Sequence, residues 1–198
     1  MAKATLREER TFMMVKPDGV RRGLTGEIMR RIEQRGLKII ACSLTAPKRA
    51  EIDKHYPKDA KWIRRLGEKT LSTFAKYNLN PKKEIGTDDI EKIGRIVREW
   101  LLDYMTSGPV LKMVIEGVHA IDMVRKLCGA TIPLTAELGS IRGDFSADSP
   151  IAANSAMRAI HNLVHASENA NEANHEIKLW FKPADLHSYR RIEEELML

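Results

Sequence analysis

An α+β fold, a small mixed sheet with helices on one face, is what this sequence predicts, and three observations predict it. Short apolar runs rich in strand formers alternate with segments of helical periodicity, in the order β-α-β-(α)-β-α-β. Turn residues punctuate them at Lys16-Pro17-Asp18-Gly19, Gly36, Ser107-Gly108-Pro109 and Gly129. A stretch of different character, residues 58–103, breaks the pattern with two amphipathic helical runs. That order suits a ferredoxin-like βαββαβ sandwich in a single domain over residues 1–198. The helical stretch at 58–103 is then an insertion within it, and the chain closes on a C-terminal helical tail.

Each element has its own warrant. Thr11–Val15 is a first strand, short and rich in strand formers. Leu24, Ile28, Met29 and Ile32 recur at helical spacing, and Gly36 stops that helix. Leu37–Leu44 is a second strand, and Arg49–Tyr56 a short helix closed by Pro57. Within the insertion, Trp62–Tyr77 and Asp89–Tyr104 read as helices around a polar loop, with Thr87 or Asp88 as an N-cap. Val110–Ile115 is a third strand, followed by a helix over Ala120–Leu127 that Gly129 ends. Asn162–Ala166 is a short strand, and Glu168–Trp180 a helix that stops before Pro183.

Composition excludes several classes. Of 198 residues, 43% are hydrophobic and 30% charged, enough apolar mass for one core. No apolar run is long enough for a membrane-spanning helix, so a membrane partner is not expected. The start, Met1–Arg10, is charged and lacks the apolar stretch of a signal peptide. Cys42 and Cys128 show no CxxC or Cys/His spacing, which argues against a disulfide framework or structural zinc and for a reducing cytoplasm. The net charge of +6 is concentrated early, residues 1–57 carrying 13 basic and 7 acidic side chains. Acids are interspersed there and no aromatic-rich basic stripe accompanies them, so nucleic acid is not the expected main ligand. Anionic small molecules such as nucleotides fit that charge equally well.

Neither GxxxxGK[ST] nor GxGxxG occurs, so phosphate binding would fall to side chains. Several stand in polar turns: Lys16 before Pro17, Arg125 at a helix end, Thr131 after Gly129-Ala130, and Arg142 between Gly139 and Gly143. Each has an ordinary surface role as its alternative. Among the histidines, His119, His175 and His187 read as structural or solvated. His161 and His165 are four apart, yet Leu163-Val164 between them argues for strand rather than a metal-binding helix pair. His165 lies where that strand gives way to a helix, exposed at the sheet end and near the helix's positive pole.

Taken in order, these residues resemble the nucleoside diphosphate kinase family. The resemblance is carried by Glu9-Arg10-Thr11-Phe12, Lys16-Pro17-Asp18-Gly19-Val20, Arg22-Gly23-Leu24 and Gly26-Glu27-Ile28. It continues through Tyr104-Met105-Thr106-Ser107-Gly108-Pro109-Val110, Glu116-Gly117, Ile141-Arg142-Gly143-Asp144-Phe145 and Asn162-Leu163-Val164-His165-Ala166-Ser167-Glu168. Glu176, Leu179-Trp180-Phe181 and Pro183 complete it, with residues 58–103 as the main uncovered part. The resemblance implies transfer of a γ-phosphate from a nucleoside triphosphate, usually ATP, to a nucleoside diphosphate by a ping-pong route through a phosphohistidine on His165. A neutral imidazole suits that role, since its lone pair needs no general base.

The resemblance further implies Glu176 as the partner of the other ring nitrogen and Ser167 as the hydroxyl beside the nucleophile. Arg125, Thr131 and Arg142 correspond to phosphate ligands, Lys16 and Asn162 to groups at the sugar and phosphate end, and Tyr56 to a tyrosine lining the site. Mg²⁺ is expected on the nucleotide phosphates with few or no protein ligands, and a homo-oligomer, tetramer or hexamer, is expected in solution. This chain departs from the family pattern at Ala166 (usually glycine), at Glu168 (usually aspartate) and at Arg98, which stands where a phenylalanine normally stacks on the base. A catalytically weak relative, acting as a binding or nucleic-acid-binding regulatory subunit, is the alternative.

Overall fold

The computed structural model describes residues 8–192 and residue 194 of the chain. The first seven residues of the charged start, and residues 193 and 195–198 of the tail, lie outside the described residues. In order, the elements are β1 (Glu8–Val15), α1 (Pro17–Arg21), α2 (Thr25–Gln34), β2 (Lys38–Thr45), α3 (Arg49–His55), α4 (Ala60–Lys76) and α5 (Pro81–Ile85). Then come α6 (Ile90–Thr106), β3 (Val110–Val118), α7 (Ala120–Cys128), α8 (Ile141–Phe145), α9 (Pro150–Ser155), β4 (Val164–Ala166) and α10 (Ala170–Trp180). The strands form one sheet in the order β2-β3-β1-β4, the ferredoxin-like arrangement expected, but it is antiparallel throughout rather than mixed, because every neighbouring pair runs in opposite directions.

The helices cover both faces of this sheet, not one. The reason lies in β1, where Phe12, Met13, Met14 and Val15 are all fully buried. Side chains alternate along a strand, so Phe12 and Met14 join one core with Ile52, Leu102, Tyr104, Ile177 and Trp180. Met13 and Val15 join another with Ile28, Ile32, Val124, Ile141 and Val164. A continuous apolar run without alternation is the signature of a strand buried on both sides. Each such side chain contributes roughly 1.5–3 kcal/mol of transfer free energy.

Several boundaries differ from expectation. The Lys16–Gly19 turn opens a short helix, α1, because Pro17 at its first position presets φ. β4 begins only at Val164, since Leu163 takes a left-handed φ of 66°. The polar loop between α4 and α6 contains α5, and α8 and α9 carry too few apolar positions to show a helical period. Asp89, rather than Thr87 or Asp88, caps α6, its carboxylate accepting from the Lys92 amide at 2.8 Å. Asn169 caps α10 two residues later than expected, accepting from the Glu172 amide at 3.0 Å.

Helices α4 and α6 pack antiparallel at very short range through two glycines. A Cβ on Gly67 would lie 2.0 Å from the Ile90 carbonyl oxygen, and one on Gly94 would lie 2.0 Å from that of Ile63. The pair is tied to the domain by buried Arg98, which donates to the Asp53 carboxylate at 2.8 Å and to the Pro57 carbonyl at 3.1 Å. At the sheet edge, the segment after α10 runs beside β2. The His187 amide donates to the Ile40 carbonyl (2.8 Å), the Tyr189 hydroxyl to that of Ile39 (3.1 Å), and Arg191 to that of Leu37 (3.0 Å). Lys38 lies beneath, paired with Glu116 and Glu194, each at 3.0 Å.

Candidate active site

The end of β1 and the approach to β4 are knotted together. The Lys16 amide donates to the Leu163 carbonyl at 2.8 Å, and the Leu163 amide donates to the Asp18 carboxylate at 3.1 Å. The other Asp18 oxygen accepts from the Tyr104 hydroxyl at 2.6 Å. Gly19 is required here, because a Cβ would meet the Val15 side chain at 2.7 Å and the Leu163 carbonyl oxygen at 3.0 Å. Lys16 Nζ donates to Asn162 Oδ1 at 2.7 Å, and Asn162 Nδ2 donates to the Thr131 carbonyl at 2.9 Å. Arg142, on α8, donates to three carbonyls: Gly129 and Val164, each at 2.7 Å, and Asn162 at 3.1 Å. Its guanidinium therefore braces the backbone on both sides of the approach to β4.

Pairing of β4 with β1 sets His165 opposite Met14, on the sheet face that α3 and α10 cover. His165 Nε2 lies 2.7 Å from Glu176 Oε1, and the Ser167 hydroxyl donates to Glu176 Oε2 at 2.6 Å. Contrary to expectation the imidazole is largely enclosed, its side chain 17% exposed, beside Phe12 at a ring separation of 6.1 Å. Nδ1 makes no hydrogen bond among the described residues. Burial pushes the His165 pKa down, and the charge of Lys16 adds to it, so the ring is neutral at pH 7. Burial raises the Glu176 pKa, while His55 and the Ser167 hydroxyl pull it back. Lys16 is lowered to about 7, first by burial and then by the charge of Arg142.

The structure thus brings Lys16, Asn162, Arg142 and the Thr131 backbone into one knot, and His165, Glu176 and Ser167 into another beside it. Arg125 is exposed on the last turn of α7, close enough for its charge to act on Arg142. Tyr56 packs its ring on His55 at 5.0 Å and stacks on Trp62 at 6.1 Å. Arg98 is buried and bound to α3, so it is not presented to a base. Sequence reasoning missed His55, Asp18 and Tyr104. His55 had a signal: it lies three residues after buried Ile52 on α3, hence on the inward face.

An enclosed imidazole on a sheet edge, held by a buried carboxylate beside a cluster in which Lys16 and Arg142 outnumber Asp18, is an arrangement suited to phosphoryl transfer on a ferredoxin-like α+β sandwich. The family model of nucleoside diphosphate kinase matches residues 9–72 and 90–186. A nucleoside diphosphate kinase of Pyrobaculum aerophilum is 44% identical over 178 residues, covering 90% of this chain and 97% of that protein. The crystal structure of an NDP kinase from the same organism superposes with a TM-score of 0.89 at 42% identity, covering 92% of this chain and all (100%) of that one. A Borrelia burgdorferi nucleoside-diphosphate kinase, described as a transition-state mimic with bound vanadate and ADP, gives a TM-score of 0.74 at 34% identity, over 94% of this chain and 95% of that one. The chain belongs to the nucleoside diphosphate kinase family, and is an enzyme of that class. The two matched spans take in most of α4 and all of α6, and leave residues 73–89 between them.

Proposed function

We propose that the enzyme moves the γ-phosphoryl group of a nucleoside triphosphate to a nucleoside diphosphate in two half-reactions through His165. The observation that carries this reading is the 2.7 Å contact of His165 Nε2 with buried Glu176, which leaves Nδ1 as the available lone pair. In the first half-reaction Nδ1 attacks the γ-phosphorus, the bond from phosphorus to the β,γ-bridging oxygen breaks, and the nucleoside diphosphate leaves with those electrons. The ring gains positive charge, which the Glu176 carboxylate balances through the Nε2–H. In the second half-reaction a terminal oxygen of another nucleoside diphosphate attacks the phosphorus, and the P–N bond electrons return to Nδ1.

Lys16, Arg142 and Arg125 supply positive charge for the phosphoryl oxygens, where it stabilises a loose transition state. Thr131 and Asn162 complete the phosphate and sugar end, and Tyr56 lines the cleft. Among the described residues, the one group of donors close enough to share an ion is His55, His165 and Glu176, within 4.8 Å of one another. Two imidazoles and a carboxylate already accepting hydrogen bonds do not match the oxygen-rich shell of Mg²⁺. Mg²⁺ therefore fits as an ion carried on the nucleotide phosphates, where it supplies charge neutralisation.

No helix among the described residues is long and apolar enough to cross a membrane, in keeping with a cytoplasmic enzyme. Self-association into a tetramer or hexamer belongs to this reading and is measured by light scattering. Incubation with γ-labelled ATP and Mg²⁺ should leave an acid-labile, base-stable label on the wild-type chain and none on His165→Ala. A fully labelled His165→Ala would overturn the assignment.

A further inference from the structure

Glu176 Oε1 meets a ring nitrogen on two sides. It lies 2.7 Å from His165 Nε2 and 3.3 Å from Nδ1 of His55, a residue with no part in the steps above. The two contacts differ in kind. His165 Nε2 faces the carboxylate as a donor. His55 Nδ1 accepts from the Trp180 indole N–H at 3.4 Å, so it carries a lone pair and brings no proton to Glu176. A lone pair and a carboxylate oxygen therefore face one another where the His55 side chain is 1% exposed and that of Glu176 2%. Two electron-rich atoms opposed in a buried site are completed by a cation.

The geometry points to a Zn²⁺ site made of His55 Nδ1, His165 Nε2 and Glu176 Oε1, occupied at the expense of catalysis. The three residues each offer a ligand atom within 4.8 Å of the others. Zinc bonds of about 2.0–2.1 Å in a tetrahedron hold neighbouring donors about 3.3 Å apart. The His55–Glu176 separation of 3.3 Å has that value already. The His165–Glu176 contact, a hydrogen bond at 2.7 Å, opens by about 0.6 Å to reach it. Two imidazoles and a carboxylate, with water in the fourth position, are a zinc donor set and not one for Mg²⁺. Glu176 Oε2 keeps the Ser167 hydroxyl at 2.6 Å, which aims the carboxylate from behind.

Several groups weigh against tight binding. Zinc takes the His55 lone pair from the Trp180 N–H, and His55 Nε2 has no partner to steady the ring from behind. The charges of Lys16 and Arg142 oppose a cation at His165, while that of Glu172 favours one. The affinity is therefore on the order of micromolar, below that of four-donor structural sites. The consequence for catalysis, which rests on the phosphohistidine reading, is a change of tautomer. Zinc needs the lone pair of His165 Nε2, so the proton there moves to Nδ1 and the ring stays neutral. Nδ1 then carries hydrogen in place of the lone pair that attacks phosphorus. Conversely, a phosphoryl group on Nδ1 leaves Nε2 as the N–H, and the phosphorylated enzyme is closed to zinc.

The test begins on the whole enzyme without nucleotide. Calorimetric titration with Zn²⁺ should show one site per chain that His55→Phe weakens by about tenfold or more. Co²⁺ in its place should give the intense visible bands of a tetrahedral ion. In single-turnover labelling with excess Mg²⁺, zinc at ten times its dissociation constant should slow the wild type about tenfold. It should slow His55→Phe about twofold or less, relative to that variant's own zinc-free rate. Zinc captured by ATP would slow both alike. Equal affinity in the two proteins, equal slowing of both, or an octahedral cobalt spectrum would overturn the inference. If His55→Phe does not fold, long-range proton–nitrogen spectra of the zinc-loaded wild type decide. His165 should carry its proton on Nδ1, and retention of the Nε2–H would overturn the site. Zinc binding as expected in a wild-type chain that fails to label would sink the phosphohistidine reading and leave the site standing.

Discussion

At the scale of single residues, Lys16 carries the least expected property. Surface lysines titrate near 10.5, but burial and the charge of Arg142 hold this one at about 7. Its nearest partner is the neutral Asn162 amide, not a carboxylate. The sign follows directly. In the folded, ligand-free enzyme the ammonium is destabilised, so the cost of burying it is full below pH 7 and fades as pH rises toward the unfolded value. An approaching phosphate restores the charged form. Nucleotide binding should therefore be accompanied by uptake of a proton between pH 7 and 9, up to about one per site. Calorimetry in buffers of different ionisation enthalpy measures this directly, and Lys16→Met should abolish it. Position in sequence marked Lys16 as a candidate, but its burial, like the contact of His165 with Glu176, depends on contacts 146 and 11 residues apart. Local pattern does not report such distances.

At the scale of elements, the α4–α6 pair turns on Gly67 and Gly94. Each lies under a carbonyl of the opposing helix, where any Cβ would force the axes apart. Gly67→Ala should destabilise the protein by about 1–3 kcal/mol, as overpacking does elsewhere, despite the better helix propensity of alanine. The melting temperature reads this, and Gly23→Ala, exposed beside open space but at a φ of 69°, serves as a strain control without a packing clash. The strands and long helices were legible because their apolar periods are strong. The short helices α1, α5, α8 and α9 were not, since five or six residues carry too little period to register. The helices on the second sheet face were legible in the unbroken apolar run Phe12–Val15, which marks a strand buried on both sides. Of the candidate site, the motif residues were legible and the enclosure of His165 was not, because α3, remote in sequence, closes over it together with α10.

At the scale of the whole molecule, acid sensitivity should concentrate at the end of the sheet where Arg10 of β1, Lys38 of β2 and Glu116 of β3 meet. Burial opposes ionisation of Glu116, but hydrogen bonds from Arg10 and Lys38 outweigh it and hold its pKa below the usual carboxylate range. A depressed folded pKa contributes stability that is present above the unfolded value and lost as pH falls through the folded one. Glu116→Gln should cost about 1 kcal/mol at pH 7 and flatten the decline of melting temperature between pH 5 and 3. A decline as steep as that of the wild type would show that the acid transition lies elsewhere. The β2 edge has a consequence for synthesis. The carbonyls of Leu37, Ile39 and Ile40 accept hydrogen bonds from residues about 150 positions later, at Arg191, Tyr189 and His187. While the chain is growing, that half-strand leaves the ribosome with these acceptors open to any passing strand, and they are covered only after His187, Tyr189 and Arg191 have emerged. A ribosome stalled before His187 would therefore hold a nascent chain prone to pair with its neighbours on the same message.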